Sequence, residues 1–133
     1  MPEGTTPGAV VDASALVDLL AGTELAGAVR ARLAGLVLHA PAHLDVECLS
    51  ALGRLHRAEL LTSAQVSTAL SDLAEAPLLR HPLPPLLAGA WSRRENLRLA
   101  DSLYVELAEH LGLPVVTTDA RLARGAARVE LIG

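Results

Sequence analysis

The sequence predicts an α/β fold in which a small, mainly parallel sheet is covered by helices on both faces. Three observations carry this reading. Short runs rich in valine and leucine alternate with longer stretches of helical period, the order that yields parallel strands joined by helical crossovers. The chain has 133 residues, 51% of them hydrophobic, which is ample for one domain with its own core. Phenylalanine is absent and only Trp91 and Tyr104 are aromatic, so that core must be built of Leu, Val and Ala, which suits helices packed on a small sheet.

The elements follow in order. MPEGTTPG has no basic or apolar leader character and reads as a flexible tail over residues 1–8, ahead of a single domain at 9–133. AVVDAS (9–14) is a buried strand ending at Asp12. The next twenty residues give two helical stretches broken near Gly22–Thr23, with Thr23 as N-cap of the second. LVLHAP (36–41) is a strand stopped by Pro41. Residues 43–60 carry Leu44, Cys48, Leu52 and Leu55 at helical spacing. Thr62 or Ser63 caps a helix to about Glu75, and PLLRHPL is a short strand whose prolines place it at a sheet edge. Pro84 or Pro85 opens a helix through about Glu95. The clearest helix holds Leu99, Leu103, Leu107 and Leu111 in line and ends at Gly112 and Pro114. PVVTTD is the next strand, ARLAR a short helix with Gly125 beyond it, and ARVELIG a terminal strand.

Composition excludes several functions. All 11 basic residues are arginine, so Schiff-base chemistry and a P-loop lysine are impossible; the GxxxxG spacing at Gly22–Gly27 is followed by Ala28 where lysine is required. The same lack removes the phospho-receiver chemistry of response regulators, and Ser14 stands where an aspartate-nucleophile phosphohydrolase needs its second aspartate. With two aromatics there is no base-stacking platform. The lone Cys48 excludes an internal disulfide and a cysteine-clustered metal, which points to a reducing cytoplasm. No apolar run approaches the ~20 residues of a membrane span. Net charge is −4, so a polyanionic substrate must be met by local arginines or bound cations.

The chemistry lies in four carboxylates. Strands 10–12 and 115–119 both end on aspartate, and parallel sheets place their sites at such strand ends. Glu47 sits one turn into the 43–60 helix, and Asp101 opens the helix before the VVTTD strand. Each has a plainer role available: Asp12, Asp101 and Asp119 as helix caps, Glu47 as a solvated helix residue. Gathered on one rim, four acids repel unless cations hold them, and Mg²⁺ or Mn²⁺ are the hard ions that carboxylates select. Two such ions can activate water and stabilise the leaving oxygen of a phosphodiester.

The segments VVDASALV, PAHLDVECLSALGRL, LADSLYVELAEHLGLPVVTTDARLAR and VELIG resemble the PIN-domain family, most closely its VapC-type toxin branch. The resemblance covers nearly the whole chain after residue 8. It implies a three-layer α/β/α sandwich and makes Asp12, Glu47, Asp101 and Asp119 the catalytic and metal-holding acids, with Glu47 as ligand or water-orienting base. Ser14 and Thr117 match the hydroxyl positions that order such a site. It further implies a Mg²⁺/Mn²⁺-dependent endoribonuclease toxin, cutting tRNA, rRNA or mRNA by metal-activated water to leave 5′-phosphate and 3′-hydroxyl ends. A homodimer, inhibition of translation and neutralisation by a VapB-type antitoxin belong to the same expectation. The alternative is a PIN-like protein- or RNA-binding module with weak or lost nuclease activity.

Other features are weaker. ELAEH at 106–110 lacks the first histidine of an inverted zinc-protease motif and reads as a solvated helix face. His39 and His43 have metal-like spacing, but Pro41 prevents a shared helix; His43 falls one turn before Glu47, where it can support it. Arg93, Arg94 and Arg98 precede Asp101 and either form a solvated face or guide phosphate. Trp91 and Tyr104 are expected in the core or at a dimer contact, and Arg121, Arg124 and Arg128 on the surface.

Overall fold

The computed structural model describes residues 7–133. The tail expected over 1–8 lies outside the described residues up to residue 6; Gly8 already opens a strand, and the Pro7 carbonyl accepts from Val37 N at 3.0 Å.

Five strands, β1 (Gly8–Val11), β2 (Val37–Pro41), β3 (Leu78–His81), β4 (Val115–Thr117) and β5 (Val129–Leu131), form one sheet in the order β3-β2-β1-β4-β5. Every pairing is parallel, and β3 occupies an edge as its prolines predict. The central strands are valine-rich because both of their faces are covered: Val10, Val11, Val115 and Val116 are all fully or almost fully buried. The helices are α1 (Ala13–Ala21), α2 (Ala26–Leu33), α3 (Leu44–Arg57), α4 (Ser63–Glu75), α5 (Leu87–Ser92, after a 3₁₀ turn at Pro84–Leu86), α6 (Leu99–Leu111) and α7 (Ala120–Gly125).

Strand order dictates the layers. From β1 the chain steps to β2 and then β3 in one direction; from β3 it returns past both to β4 and continues to β5. Right-handed crossovers therefore put α1–α4 on one face and α5–α7 on the other, and α1 packs with α2, α3 and α4 while α5 packs with α6. The chain departs from β1 and β4, which are neighbours, in opposite directions. Their carboxyl ends thus flank the topological switch point, where the diverging loops leave a crevice.

Several boundaries differ from the sequence reading. Thr23 does not cap α2: its hydroxyl turns back to Asp18 Oδ1 at 2.8 Å, and Leu25 precedes the helix without a side-chain cap. The helix expected to reach residue 60 ends at Arg57, because Glu59 adopts a left-handed φ of 62° and Leu60 N bonds back to Leu55 O. The helix expected through Glu95 stops at Ser92, where the chain tightens so that Asn96 and Leu97 amides both reach Arg93 O. Gly125 is the last residue of α7. In α6 only Leu103 and Leu107 of the four aligned leucines are buried; a four-residue step overshoots a turn by about 40°, so Leu99 and Leu111 leave the core. Thr62 caps α4 with a full capping box to Gln65, as its spacing predicts. Among the described residues no helix is long and apolar enough to cross a membrane.

Candidate active site

Asp12 is the first residue after β1 and the N-cap of α1. Its Oδ1 accepts from Ala15 N at 3.1 Å, and Ser14 Oγ donates to both carboxylate oxygens at 2.8 and 3.0 Å. Thr117, the last residue of β4, donates its hydroxyl to Asp12 Oδ2 at 2.8 Å. Each hydroxyl also accepts a backbone amide of the following turn: Ser14 Oγ from Thr118 N at 3.2 Å and Thr117 Oγ1 from Asp119 N at 2.9 Å. The two side chains therefore tie the β4–α7 turn to Asp12. That turn is fastened again by Thr118 Oγ1, which donates to Asp18 Oδ2 at 2.6 Å.

Asp12 is 5% exposed. Burial pushes its carboxyl up to about 6; the bonds from Ala15, Ser14 and Thr117 oppose that rise, and the Asp119 charge adds to it. Asp119 caps α7 by accepting from Arg121 N at 2.9 Å. Both end-of-strand aspartates thus have the plainer capping role as well, which is how the local chain presents them at the rim. Asp101 lies in the first turn of α6, but the cap position is Arg98, so Asp101 faces the crevice without a capping duty.

Glu47 is in the first turn of α3, and its Oε1 accepts from the Tyr104 phenol at 2.5 Å. His43 Nε2 donates to Ala100 O at 2.9 Å and lies 3.4 Å from the same Glu47 oxygen. Burial, followed by the Glu47 contact, drives the Tyr104 phenol well above its ordinary range, which keeps it a donor. The neighbouring Asp45 is turned away and bridges Arg80 at 2.8 and 2.9 Å. Cys48 is buried beside the rim; burial first, then Asp45, Glu47 and Asp12, push its thiol up to about 12, so it is a packing residue with no thiolate chemistry.

Asp12, Glu47, Asp101 and Asp119 all line one cavity of about 570 Å³ at the switch point, together with Ser14, Arg54, Arg98, Tyr104 and Arg121. Among the three arginines proposed for phosphate, only Arg98 belongs to it. Arg98 Nε is 3.3 Å from Asp101, and its guanidinium reaches Asp119 at 4.0 Å. Arg93 points across to α6, where it pairs with Glu106 and Glu109, and Arg94 stacks on Trp91 with its guanidinium 4.6 Å from the ring. Glu109 and His110 lie on a solvated face as expected, but Glu106 departs from it, being largely covered and held by Arg93 and His110. Trp91 is 58% exposed and not in the core, whereas Tyr104 is 1% exposed. Of the arginines expected merely on the surface, Arg121 reaches the cavity; Arg54, which the sequence reading passed over, does so from the outer turns of α3, four residues from Ser50 and seven from Glu47. His39 bonds His81 at 2.9 Å, away from the cavity, so the His39–His43 pairing is not formed.

The donor chemistry fits a hard divalent ion: four carboxylates at one crevice, one of them desolvated and short of positive charge. The side chains as they stand do not form a closed site, for among the described residues no three His, Cys, Asp or Glu groups gather closely enough to hold one ion. Tyr104 and Arg98 engage Glu47, Asp101 and Asp119 instead.

Fold and rim together define a class, a three-layer α/β/α protein whose switch-point crevice offers carboxylate oxygens to a hard cation. The family model described as "PIN domain" matches residues 9–128. The chain is 61% identical over 125 residues to Ribonuclease VapC3 of Mycobacterium tuberculosis, covering 93% of this chain and 91% of that one. It is 38% identical to Ribonuclease VapC12 of the same organism, over 92% of this chain and 98% of the other. The crystal structure of M. tuberculosis VapC20, a sarcin–ricin loop cleaving toxin, superposes with a TM-score of 0.72 over 95% of this chain and 100% of that one; at 17% identity it bears on the fold alone. The chain belongs to the PIN-domain family, in its VapC-type ribonuclease branch.

Proposed function

We propose that this protein is a divalent-metal-dependent endoribonuclease acting as the toxin of a toxin–antitoxin pair. The observation that carries the reading is the convergence of Asp12, Glu47, Asp101 and Asp119, from four separate segments, on one cavity at the β1–β4 switch point. The named ribonuclease relatives support the same reaction class.

Asp12, Asp101, Asp119 and Glu47 would hold Mg²⁺ or Mn²⁺, which when bound supplies Lewis acidity toward a phosphodiester and lowers the pKa of water. The chain's own residues do the rest. Ser14 and Thr117 orient Asp12 and lock the turn bearing Asp119. Glu47 would orient or deprotonate the attacking water. Arg98, Arg54 and Arg121 line the cavity and give an acidic protein local positive charge for an RNA backbone. Hydrolysis by water would leave 5′-phosphate and 3′-hydroxyl ends. The substrate is tRNA, rRNA or mRNA, the site of action the cytoplasm, and the outcome inhibition of translation. Exposed Val46, Leu49, Leu87 and Trp91 offer apolar surface to a second copy or to a VapB-type antitoxin.

A binding module with weak or lost nuclease activity is the second reading, favoured by the absence of a closed three-ligand cluster among the described residues. An end-mapped RNA cleavage assay decides between them. Cleavage in Mg²⁺ or Mn²⁺ that stops with chelator and falls to background in Asp101→Asn supports the nuclease; little or no cleavage by the wild type supports the module, and cleavage unchanged by both treatments contradicts a metal-dependent site at Asp101.

A further inference from the structure

Tyr104 is the chain's only tyrosine and, among the described residues, the largest fully buried side chain. A phenol set in an aliphatic core needs a partner for its O–H, and here that partner is Glu47, 57 residues away in sequence and on a different helix. The contact is reinforced from the side. The His43 ring lies 4.9 Å from the Tyr104 ring, and its Nε2, which must carry the hydrogen because Ala100 O only accepts, stands 3.4 Å from the same Glu47 oxygen. Among the described residues Glu47 Oε2 has no hydrogen-bond partner, whereas Oε1 has Tyr104. Both Glu47 and Tyr104 line the acidic cavity.

We infer that Tyr104 is a positioning residue for Glu47: its phenol O–H fixes the carboxylate and occupies Oε1, so that Glu47 serves the cavity through Oε2. A glutamate one turn into a helix, 30% exposed along its side chain, would otherwise sample several rotamers and share its charge with solvent. The phenol removes that freedom without adding charge, which an arginine in the same place would not do. The inference rests on the metal-dependent nuclease reading and deepens it.

The test is a double-substitution cycle read by calorimetric titration of Mn²⁺ into wild type, Tyr104→Phe, Glu47→Gln and the double variant, with thermal melts to confirm folding. Tyr104→Phe is expected to weaken Mn²⁺ binding about 10-fold, as loss of a partner behind a metal ligand does, and to lower kcat on RNA with KM unchanged. In the Glu47→Gln background the same substitution should add nothing, because the phenol acts only through Glu47. A second readout leaves Tyr104 in place: Mn²⁺ should shift the near-ultraviolet difference band of the single tyrosine in wild type but not in Glu47→Gln. Wild-type Mn²⁺ affinity in Tyr104→Phe, an equal loss in both backgrounds, or an unmoved tyrosine band in the wild type overturns the inference. If the wild type binds no Mn²⁺ and Glu47→Gln changes nothing, the nuclease reading fails first and takes this inference with it.

Discussion

On the β3 edge of the sheet, Asp45 meets two nitrogens of the Arg80 guanidinium, which also donates to Leu73 O and so clamps the start of α3 to the end of α4. At the β1–β4 rim, Asp12 is held as firmly by two hydroxyls and an amide, none of which carries charge. The contrast recurs. Glu106 and Glu130 pair with Arg93 and Arg32, while Glu47 pairs with a phenol. Arginine neutralises an acid as it orients it; a hydroxyl orients and leaves the negative charge in place. Two of the rim acids, Asp101 and Asp119, do meet cations, but Arg98 is 64% exposed and stands 3.3 and 4.0 Å away, and Arg121, 65% exposed, is 3.7 Å from Asp119, far looser arrangements than the Asp45 bridge. Acids gathered at one crevice with their charge only loosely met mark the place where positive charge arrives from outside.

That difference can be broken by substitution. Thr117→Val keeps the shape of a fully buried side chain but strips Asp12 of a donor and the Asp119 amide of its acceptor. Metal-dependent cleavage should fall by ~10–100-fold, and denaturant unfolding should show a loss of ~1–3 kcal/mol. A stability loss with cleavage intact would make the hydroxyls structural only. Asp45→Asn probes the neutralised acids. The pair is partly exposed, so ~1 kcal/mol or less should go, with cleavage unchanged. The smallest effect belongs to Glu130, which the Arg32 hydrogen bond holds below its ordinary 4.5. A depressed folded-state pKa contributes stability above the unfolded value and loses it as pH falls through the folded one. Glu130→Gln should therefore remove a few tenths of a kcal/mol at neutral pH, and flatten the wild type's decline below about pH 4.5.

The parts of this protein that could be read from the chain are those set by local pattern. β1 and β4 are short valine runs, α6 has its leucine repeat and Gly112 stop, and Thr62 with Gln65 announces the start of α4. The four acids were legible because each sits at an element end that a parallel sheet collects on one rim. Partnership between distant side chains was not legible. Nothing in RRENLR distinguishes Arg93, drawn to Glu106 on α6, from Arg98, drawn to the cavity. Glu106 itself fits only because Gly89 has no Cβ to meet its carboxylate. Trp91 reads equally as core or as a contact residue, and only the fold shows that α5 turns that face outward, while Tyr104 reads as core without revealing that its O–H meets Glu47. Thr23 has the right identity for a cap, but the hydroxyl is taken by Asp18, which itself fastens Thr118.

Crystals soaked in Mn²⁺ test most directly, through anomalous scattering, whether the rim acids take a hard cation. Mn²⁺ density is expected within the cavity bounded by Asp12, Glu47, Asp101 and Asp119, with the Arg98 side chain displaced from Asp101 and Asp119. A cavity without anomalous density at saturating Mn²⁺, with Arg98 still bridging the two aspartates, would contradict it.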